Sequence, residues 1–321
     1  MRYIDVFNGD ADGICALHQL RLADPIESRL VTGLKRDIAL LDRVDAGEGD
    51  LVTVLDISLD RNRAALARLL GRGALVHYFD HHFAGSITTH PNLEVHIDAS
   101  GAACTSALVN RHLWGRFREW AVVGAFGDGQ DELARSIAGP QADGSRPLEA
   151  LRDLGASLNY NAYGESEADP IFPPVELYRV VHRYADPFEL IRREPLIARI
   201  SQQRLADLER ALETEPLRSL PTLEAYVLPD AAWSRRVSGT FANRLAERDP
   251  RRAHAVLTPL QAGGYVVSVR SPREWNVSAA DFCRRFPTGG GRESAAGIDH
   301  LHAERIEPFL NAFAGVSWSL H

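Results

Sequence analysis

Cysteine is scarce in this chain. The three that occur, Cys15, Cys104 and Cys283, form no CxxC pair and no even set. Each falls in a helix-like segment, so they read as small core residues of a reducing cytosol and not as a disulfide framework. Positive charge is also in deficit: 36 Lys and Arg stand against 43 Asp and Glu, a formal net charge of −7. That balance argues against a general electrostatic grip on long duplexes and leaves room only for a local basic cleft. No apolar run approaches membrane-spanning length, so no membrane partner is expected. The N-terminus carries Asp5 and Asp10 and lacks a basic region followed by a long apolar stretch, so no signal peptide is expected and the predicted location is cytoplasmic. There is no repeat of solenoid period and no low-complexity tract.

What is present is an alternation of apolar strand-like and helical segments. The 321 residues suggest two domains, each with room for a core. Tyr3–Phe7, Leu51–Leu55, Leu75–Phe79 and Leu93–Ile97 read as strands. Gly13–Leu22, Arg61–Leu70 and Ser100–Trp114 read as helices, the last with Ser100 or Thr105 as its cap. The pattern predicts an α/β fold with a doubly wound, mostly parallel sheet. Residues 140–174 read as an irregular excursion around a helix near Leu148–Leu158. Val175–Leu220 reads as charged helices. A second, smaller α/β unit follows: strands Leu223–Leu228, Ala253–Leu257 and Tyr265–Val269, a hairpin turn at Gly263-Gly264, and helices near Gly239–Arg248, Ser278–Phe286 and Glu304–Phe313. The predicted domains are 1–185, a helical connector at 186–220, and 221–321.

The most informative feature is a set of acidic points at the ends of apolar segments. Asp10-Ala11-Asp12-Gly13 follows the first strand, Asp56 the second and Asp80-His81-His82 the third. Asp128 follows Ala121–Gly127, which also reads as strand-like. In a parallel sheet the C-terminal strand ends face one crevice, so these groups can converge. Asp and His there are ligands for hard or borderline divalent metals, and the expected product is a two-metal phosphoesterase site. Taken singly, each has a plainer reading. Asp10 and Asp12 could cap a helix, Asp56 could do the same in competition with Ser58, and Asp128 could be a turn residue. Adjacent imidazoles at a strand end are harder to explain as core, because both rings need partners.

Together, Asp10-x-Asp12-Gly13, Asp56, Asp80-His81-His82 and Asp128 resemble the four motifs of the DHH phosphoesterase superfamily. Val267–Ser271 and Gly289-Gly290-Gly291-Arg292-Glu293-Ser294-Ala295-Ala296-Gly297 resemble the signature of the DHH-associated C-terminal domain. The resemblance covers nearly the whole chain, and its motifs occur in the right order. It implies a catalytic DHH domain followed by a substrate-binding domain, and a binuclear centre of two divalent ions, manganese first, with magnesium or cobalt as alternatives. Asp10 and Asp12 would each bind one ion, Asp56 would bridge both, and His81 and Asp128 would complete the set. Asp80 would orient an imidazole, and His82 would contact the phosphate. Asp80, His81 and His82 are thus the catalytic candidates.

The Gly-rich segment has a physical logic of its own. Gly289, Gly290 and Gly291 let backbone amides approach an anion, with a helix opening after them, and Arg270 and Arg292 could bind phosphate. Arg236 and Arg273 read as solvated surface arginines.

Three positions depart from the family's patterns. Val6 stands where many nanoRNase-like members carry a histidine ligand. Asn8 stands where RecJ-like members carry an Asp, which makes it a neutral candidate donor to one ion. Arg292 replaces the histidine usual after the three glycines. The expected activity is hydrolysis of short nucleotides, dinucleotides or short oligoribonucleotides, from an end. Water would attack directly, without a covalent intermediate, while the second domain closes over the substrate. A long processive exonuclease is disfavoured by the acidic balance and by the absence of an appended OB-fold or an aromatic-and-basic stripe. The alternatives are a phosphatase acting on a 3′,5′-bisphosphorylated nucleotide or polyphosphate, a cyclic dinucleotide phosphodiesterase, and a non-catalytic nucleotide-binding regulator. A homodimer is the prior expectation for assembly.

Overall fold

The computed structural model describes residues 1–139 and 147–318. The part of the expected excursion at 140–146 lies outside the described residues. The chain divides into two units, Met1–Gln202 and Gln203–His321, with the division inside one long helix.

The first unit contains β1 (Tyr3–Asn8), α1 (Ala11–Ala23), β2 (Arg29–Gly33), β3 (Leu51–Leu55), α2 (Arg63–Gly71), β4 (Leu75–Asp80) and β5 (Leu93–Ile97). After these come α3 (Thr105–His112), α4 (Arg118–Gly127), α5 (Asp131–Ala138), α6 (Leu148–Asn161), α7 (Pro174–Val181), α8 (Pro187–Arg193) and α9 (Pro195–Leu212). Its five strands are all parallel, in the order β2-β1-β3-β4-β5. The order reverses between β1 and β3, and the crevice beyond that switch point is where open α/β sheets hold their ligands. The register aligns Phe7, Leu55 and Phe79 across β1, β3 and β4, so the three motif-bearing strands end level with one another.

Strand periodicity explains the packing. Ile4, Val6, Val52, Val54, Val76 and Tyr78 lie on one face and form a buried core with Leu66, Leu69 and Leu70 of α2. On β1 the intervening Asp5 is fully buried and accepts two hydrogen bonds from Arg21 of α1, at 2.8 and 2.6 Å. A bidentate ion pair thus ties α1 to β1. The helices against α1 approach very closely. A Cβ on Gly127 of α4 would lie 2.2 Å from the Cβ of Ala11, and one on Gly124 would lie 2.2 Å from Ser106 Oγ. These two glycines let α4 deliver Asp128 beside α1.

The structure corrects three readings. Ala121–Gly127 is helical, not a strand, and Asp128 is the C-cap residue of α4. Trp120 through Gly127 are all buried, so the segment shows no amphipathic period and cannot be told from a buried strand by pattern alone. Helix α3 starts at Thr105, after Cys104, and Ser100 does not cap it. Its first N–H groups instead meet Asp12, far away in sequence.

The third correction concerns the second unit. There β6 (Arg218–Leu220), β7 (Leu223–Val227), β8 (Ala253–Pro259), β9 (Tyr265–Arg270), β10 (Gly289–Gly291) and β11 (Ala295–Leu301) form one mixed sheet, ordered β10-β11-β9-β8-β7-β6. Only β7 and β8 pair in parallel. Helices α10 (Ala232–Arg248), α11 (Ala279–Cys283) and α12 (Ile306–Ala314) complete it. The three glycines are therefore an edge strand paired antiparallel with β11, and no helix opens after them. Gly289 is required by packing, since a Cβ there would sit 1.8 Å from the Cys283 carbonyl oxygen. All three cysteines are free and buried. Among the described residues, no helix is long and apolar enough to cross a membrane.

Candidate metal centre

The site is built on the level ends of β1, β3 and β4. One Asp10 oxygen, Oδ1, accepts the N–H groups of Asp12 and Gly13 at 3.0 and 3.1 Å and caps α1. The other oxygen, Oδ2, meets the ammonium of Lys35. The carboxylate that caps the helix thus also pairs with the ammonium. Asp12 accepts from the backbone N–H of Thr105 at 2.7 Å and of Ser106 at 2.8 Å, which fixes α3 against α1. Its Oδ2 is also 3.9 Å from His81 Nε2.

Asp56 sits just after β3 with φ of 59°, in the left-handed region that is uncommon outside glycine. Its N–H bonds the Phe79 carbonyl at 3.0 Å, and its Oδ1 accepts from Thr105 Oγ1 at 3.1 Å. Backbone held this way over-determines the carboxylate's direction, a form of strain that clusters at functional sites. The same Asp56 Oδ1 lies 3.4 Å from His81 Nε2 and 4.0 Å from His82 Nδ1. Asp80, buried at the end of β4, accepts the His81 N–H at 2.9 Å and lies 2.7 Å from His82 Nδ1. With Nδ1–H donating to Asp80, His82 Nε2 is left as the ring's second polar atom. The His82 side chain is 44% exposed, against 11% for His81, so His82 faces the open side of the cluster.

The electrostatics favour a bound cation. Burial first, then the neighbouring Asp10 and Asp12 charges, push Asp56 well above the ordinary carboxylate range. Burial likewise raises Asp12, with Asp128 and Asp10 adding to it against the pull of His81. Burial favours neutral His81, yet Asp56, Asp12 and Asp128 raise it to about 10. Asp10 behaves differently: burial would raise it, and Lys35 holds it below the usual range.

The donor set fits a divalent ion. Asp56, His81 and His82 each offer a ligand atom, and these lie within 4.8 Å of one another; Asp12 adds an oxygen beside His81. Ligand atoms around a small six-coordinate ion with bonds near 2.1 Å stand roughly 3 Å apart, so the 3.4 Å between Asp56 and His81 is near that spacing and the wider gaps would have to close on the ion. Carboxylates with imidazole suit a hard or borderline cation.

The remaining predicted ligands make other contacts. Asp128 Oδ1 is 3.9 Å from Lys35 Nζ. The Asn8 amide is directed elsewhere: Oδ1 accepts the Asp10 N–H at 3.2 Å and Nδ2 donates to the Lys35 carbonyl at 3.3 Å. Val6 is fully buried in the core on the α2 face. Lys35 itself escaped the sequence reading. Its motif-free position two residues past β2 gave no signal, although the strand order places that strand end beside β1.

In the second unit, Arg270 stands opposite Ala295 in the β9–β11 register, and Arg292 lies in the tight turn between β10 and β11, its N–H bonded to the Ala295 carbonyl at 2.9 Å. The sheet therefore brings Arg270, Arg292 and the three glycines to one region. Arg270 Nε donates to Asn243 Oδ1 at 2.7 Å. Arg236 pairs with buried Asp207 at 2.9 Å and is not a solvated surface arginine.

No protein-family model matches the chain, and no curated protein matches it in sequence. Solved structures do match. The manganese complex of RecJ from Thermus thermophilus superposes with a TM-score of 0.63 at 18% identity, over 97% of this chain and 51% of that one. The chain thus spans about half the length of that relative. A manganese-bound exonuclease RecJ gives a TM-score of 0.54 at 17% identity, over 97% of this chain and 89% of that one. PggH from Vibrio cholerae, a pGpG-specific phosphodiesterase, gives 0.50 at 14% identity, over 98% and 99%. With the motif residues gathered at the switch point of the parallel sheet, these likenesses show that the chain shares the fold of these RecJ and phosphodiesterase structures over nearly its whole length.

Proposed function

We propose that the protein is a divalent-metal-dependent phosphoesterase that hydrolyses phosphodiester bonds of nucleotides, with short ones (dinucleotides or short oligoribonucleotides) as its substrates. The observation that carries this reading is the approach of both Asp12 and Asp56 to within 4 Å of His81 Nε2 at the switch point, with His82 held by Asp80 on the exposed side. Similarity of fold to a RecJ exonuclease and to a pGpG-specific phosphodiesterase supports the substrate class. Manganese is the first cation to test, with magnesium and cobalt next.

A divalent ion held by Asp12, Asp56 and His81 would polarise the phosphoryl oxygens and make hydroxide available near neutral pH. The protein's own groups do the rest. Asp80 fixes the His82 ring so that Nε2 can bond a phosphoryl oxygen or return a proton to the leaving oxygen. Thr105 holds Asp56 in direction, and the Thr105 and Ser106 N–H groups hold Asp12. No serine or cysteine nucleophile is needed, and Cys15 and Cys104 beside the site are held as neutral thiols: burial, then nearby carboxylates, raise both. Arg270, Arg292 and the β10 backbone would bind the substrate's terminal phosphate.

The test is a chromatographic hydrolysis panel in manganese: linear and cyclic dinucleotides, longer oligomers, a 3′,5′-bisphosphorylated adenosine and polyphosphate. The Asp80→Ala/His81→Ala protein is the control. Mononucleotide release from short linear diesters is expected. Phosphate release from the last two substrates alone would replace this reading with a phosphatase. Ligand binding without turnover in any of the three metals would replace it with a nucleotide-binding regulator.

A further inference from the structure

Lys35 is the only lysine of the chain; the other permanently cationic side chains are arginines. Its side chain lies inside the acidic cluster. The ammonium contacts Asp10 Oδ2, lies 3.0 Å from Asn159 Oδ1 of α6 and 3.9 Å from Asp128 Oδ1, and sits 5.8 Å from the centre of the Tyr163 ring. Its backbone is pinned as well: the Lys35 N–H donates to the Ala162 carbonyl at 2.9 Å, and its carbonyl accepts from Asn8 Nδ2.

Two halves of the cluster are therefore served differently. His81 Nε2 lies 3.4 Å from Asp56 Oδ1 and 3.9 Å from Asp12 Oδ2, with no Lys or Arg side chain paired to either carboxylate among the described residues. Asp10 and Asp128 face a fixed ammonium. The residue identities agree with this split. Asn8, a neutral amide at the position where a further carboxylate would serve a second ion, instead bridges the backbones of Asp10 and Lys35. Val6, at the position where a histidine ligand would serve, is in the core. Lysine is the right cation for the place, because its ammonium is a compact point charge, whereas a guanidinium is a broad planar fork. Charge balance agrees too. One divalent ion and one ammonium bring the four carboxylates to a single net negative charge. A second divalent ion would have to sit against a positive charge in a buried site, where repulsion is poorly screened.

We propose that Lys35 takes the place of one cation of a two-cation phosphoesterase centre, so that this site binds a single divalent ion beside a built-in ammonium. The inference rests on the metal-dependent reading above and departs from the two ions that the motifs imply.

The test counts ions. Full-length protein is stripped with chelator, equilibrated with manganese chloride, and examined for bound manganese by elemental analysis and for its spin state by electron paramagnetic resonance. The expected result is one manganese per chain with the six-line spectrum of an isolated ion. Lys35→Ala and Lys35→Met, the latter keeping the apolar stem, should take up a second ion. Two ions some 3.5–4 Å apart couple magnetically, so the six-line signal should fall while manganese content doubles. Circular dichroism confirms that the variants are folded. Two coupled ions in the wild-type protein would overturn the proposal and leave the hydrolase reading intact. Folded variants that still hold one ion would also overturn it. A wild-type protein that binds no manganese would sink both readings.

Discussion

The carboxylate of Asp12 accepts the backbone N–H of Thr105 at 2.7 Å, across 93 residues of sequence. One residue thus anchors a helix start and faces the proposed metal position. Asp12→Ala removes the acceptor of both the Thr105 and the Ser106 N–H groups in a buried setting. It should cost about 1–3 kcal/mol of stability, as loss of a cap with buried unsatisfied donors does. Urea unfolding of the metal-free variant measures this; an unchanged midpoint would refute the anchoring role.

Asp56→Asn should do the opposite. Burial and the Asp10 and Asp12 charges already oppose its ionisation, and asparagine tolerates the left-handed backbone there. The metal-free variant should gain about 1–2 kcal/mol, the usual sign of a stability-for-function exchange. Manganese should raise the melting temperature of the wild-type protein but not that of this variant. A variant less stable than the wild type without metal would contradict the crowding argument.

The β10 glycines separate packing from binding. Gly289→Ala would drive a Cβ into the Cys283 carbonyl and should unfold or loosen the second unit. Gly290 has open space around the same added atom. Gly290→Ala should therefore fold with wild-type stability to within ~1 kcal/mol. If β10 carries substrate against its backbone, this variant should raise KM several-fold and leave kcat near its original value. Unchanged kinetics would remove β10 from the binding surface.

His18 makes acid stability testable away from the metal position. It is packed edge-on against Trp120 with ring centres 4.4 Å apart, and its Nε2 lies 2.8 Å from the Tyr184 carbonyl, to which Nε2–H donates. Burial is the main cause that lowers its pKa to about 3, with His182 adding to it against the Tyr184 bond. An unfolded chain takes up that proton near pH 6.5, the folded one only near pH 3. The contribution is thus complete above pH 6.5 and is lost as pH falls through the window between the two values. The slope approaches about 1.4 kcal/mol per pH unit. His18→Gln should flatten the acid limb of a denaturation series between about pH 4.5 and 7. Parallel limbs would refute this assignment.

Much of the candidate site was legible because strands announce themselves by apolar runs. The ends of β1, β3 and β4 fell where Asp10, Asp56 and Asp80 predicted a shared crevice, and the register made those ends level. What was misread has physical causes. Helix α4 is buried all round, so its composition matched a buried strand. Three consecutive glycines do not resemble a strand; they form one because Gly289 must pass close to Cys283. Helix α3 takes its cap from Asp12, a long-range partner that no local motif encodes. The short strands β2 and β6 went unpredicted, and with β2 went the position of Lys35, whose role depends entirely on which strands are neighbours.

We propose metal-dependent phosphodiester hydrolysis at this cluster. Its most direct test is turnover of a 5′-phosphorylated ribodinucleotide by chelator-stripped protein, before and after manganese is restored, followed by chromatography. No cleavage is expected without metal, mononucleotide release with it, and at least a ~100-fold loss in His81→Ala. Intact dinucleotide in the presence of protein that has demonstrably bound manganese would contradict it.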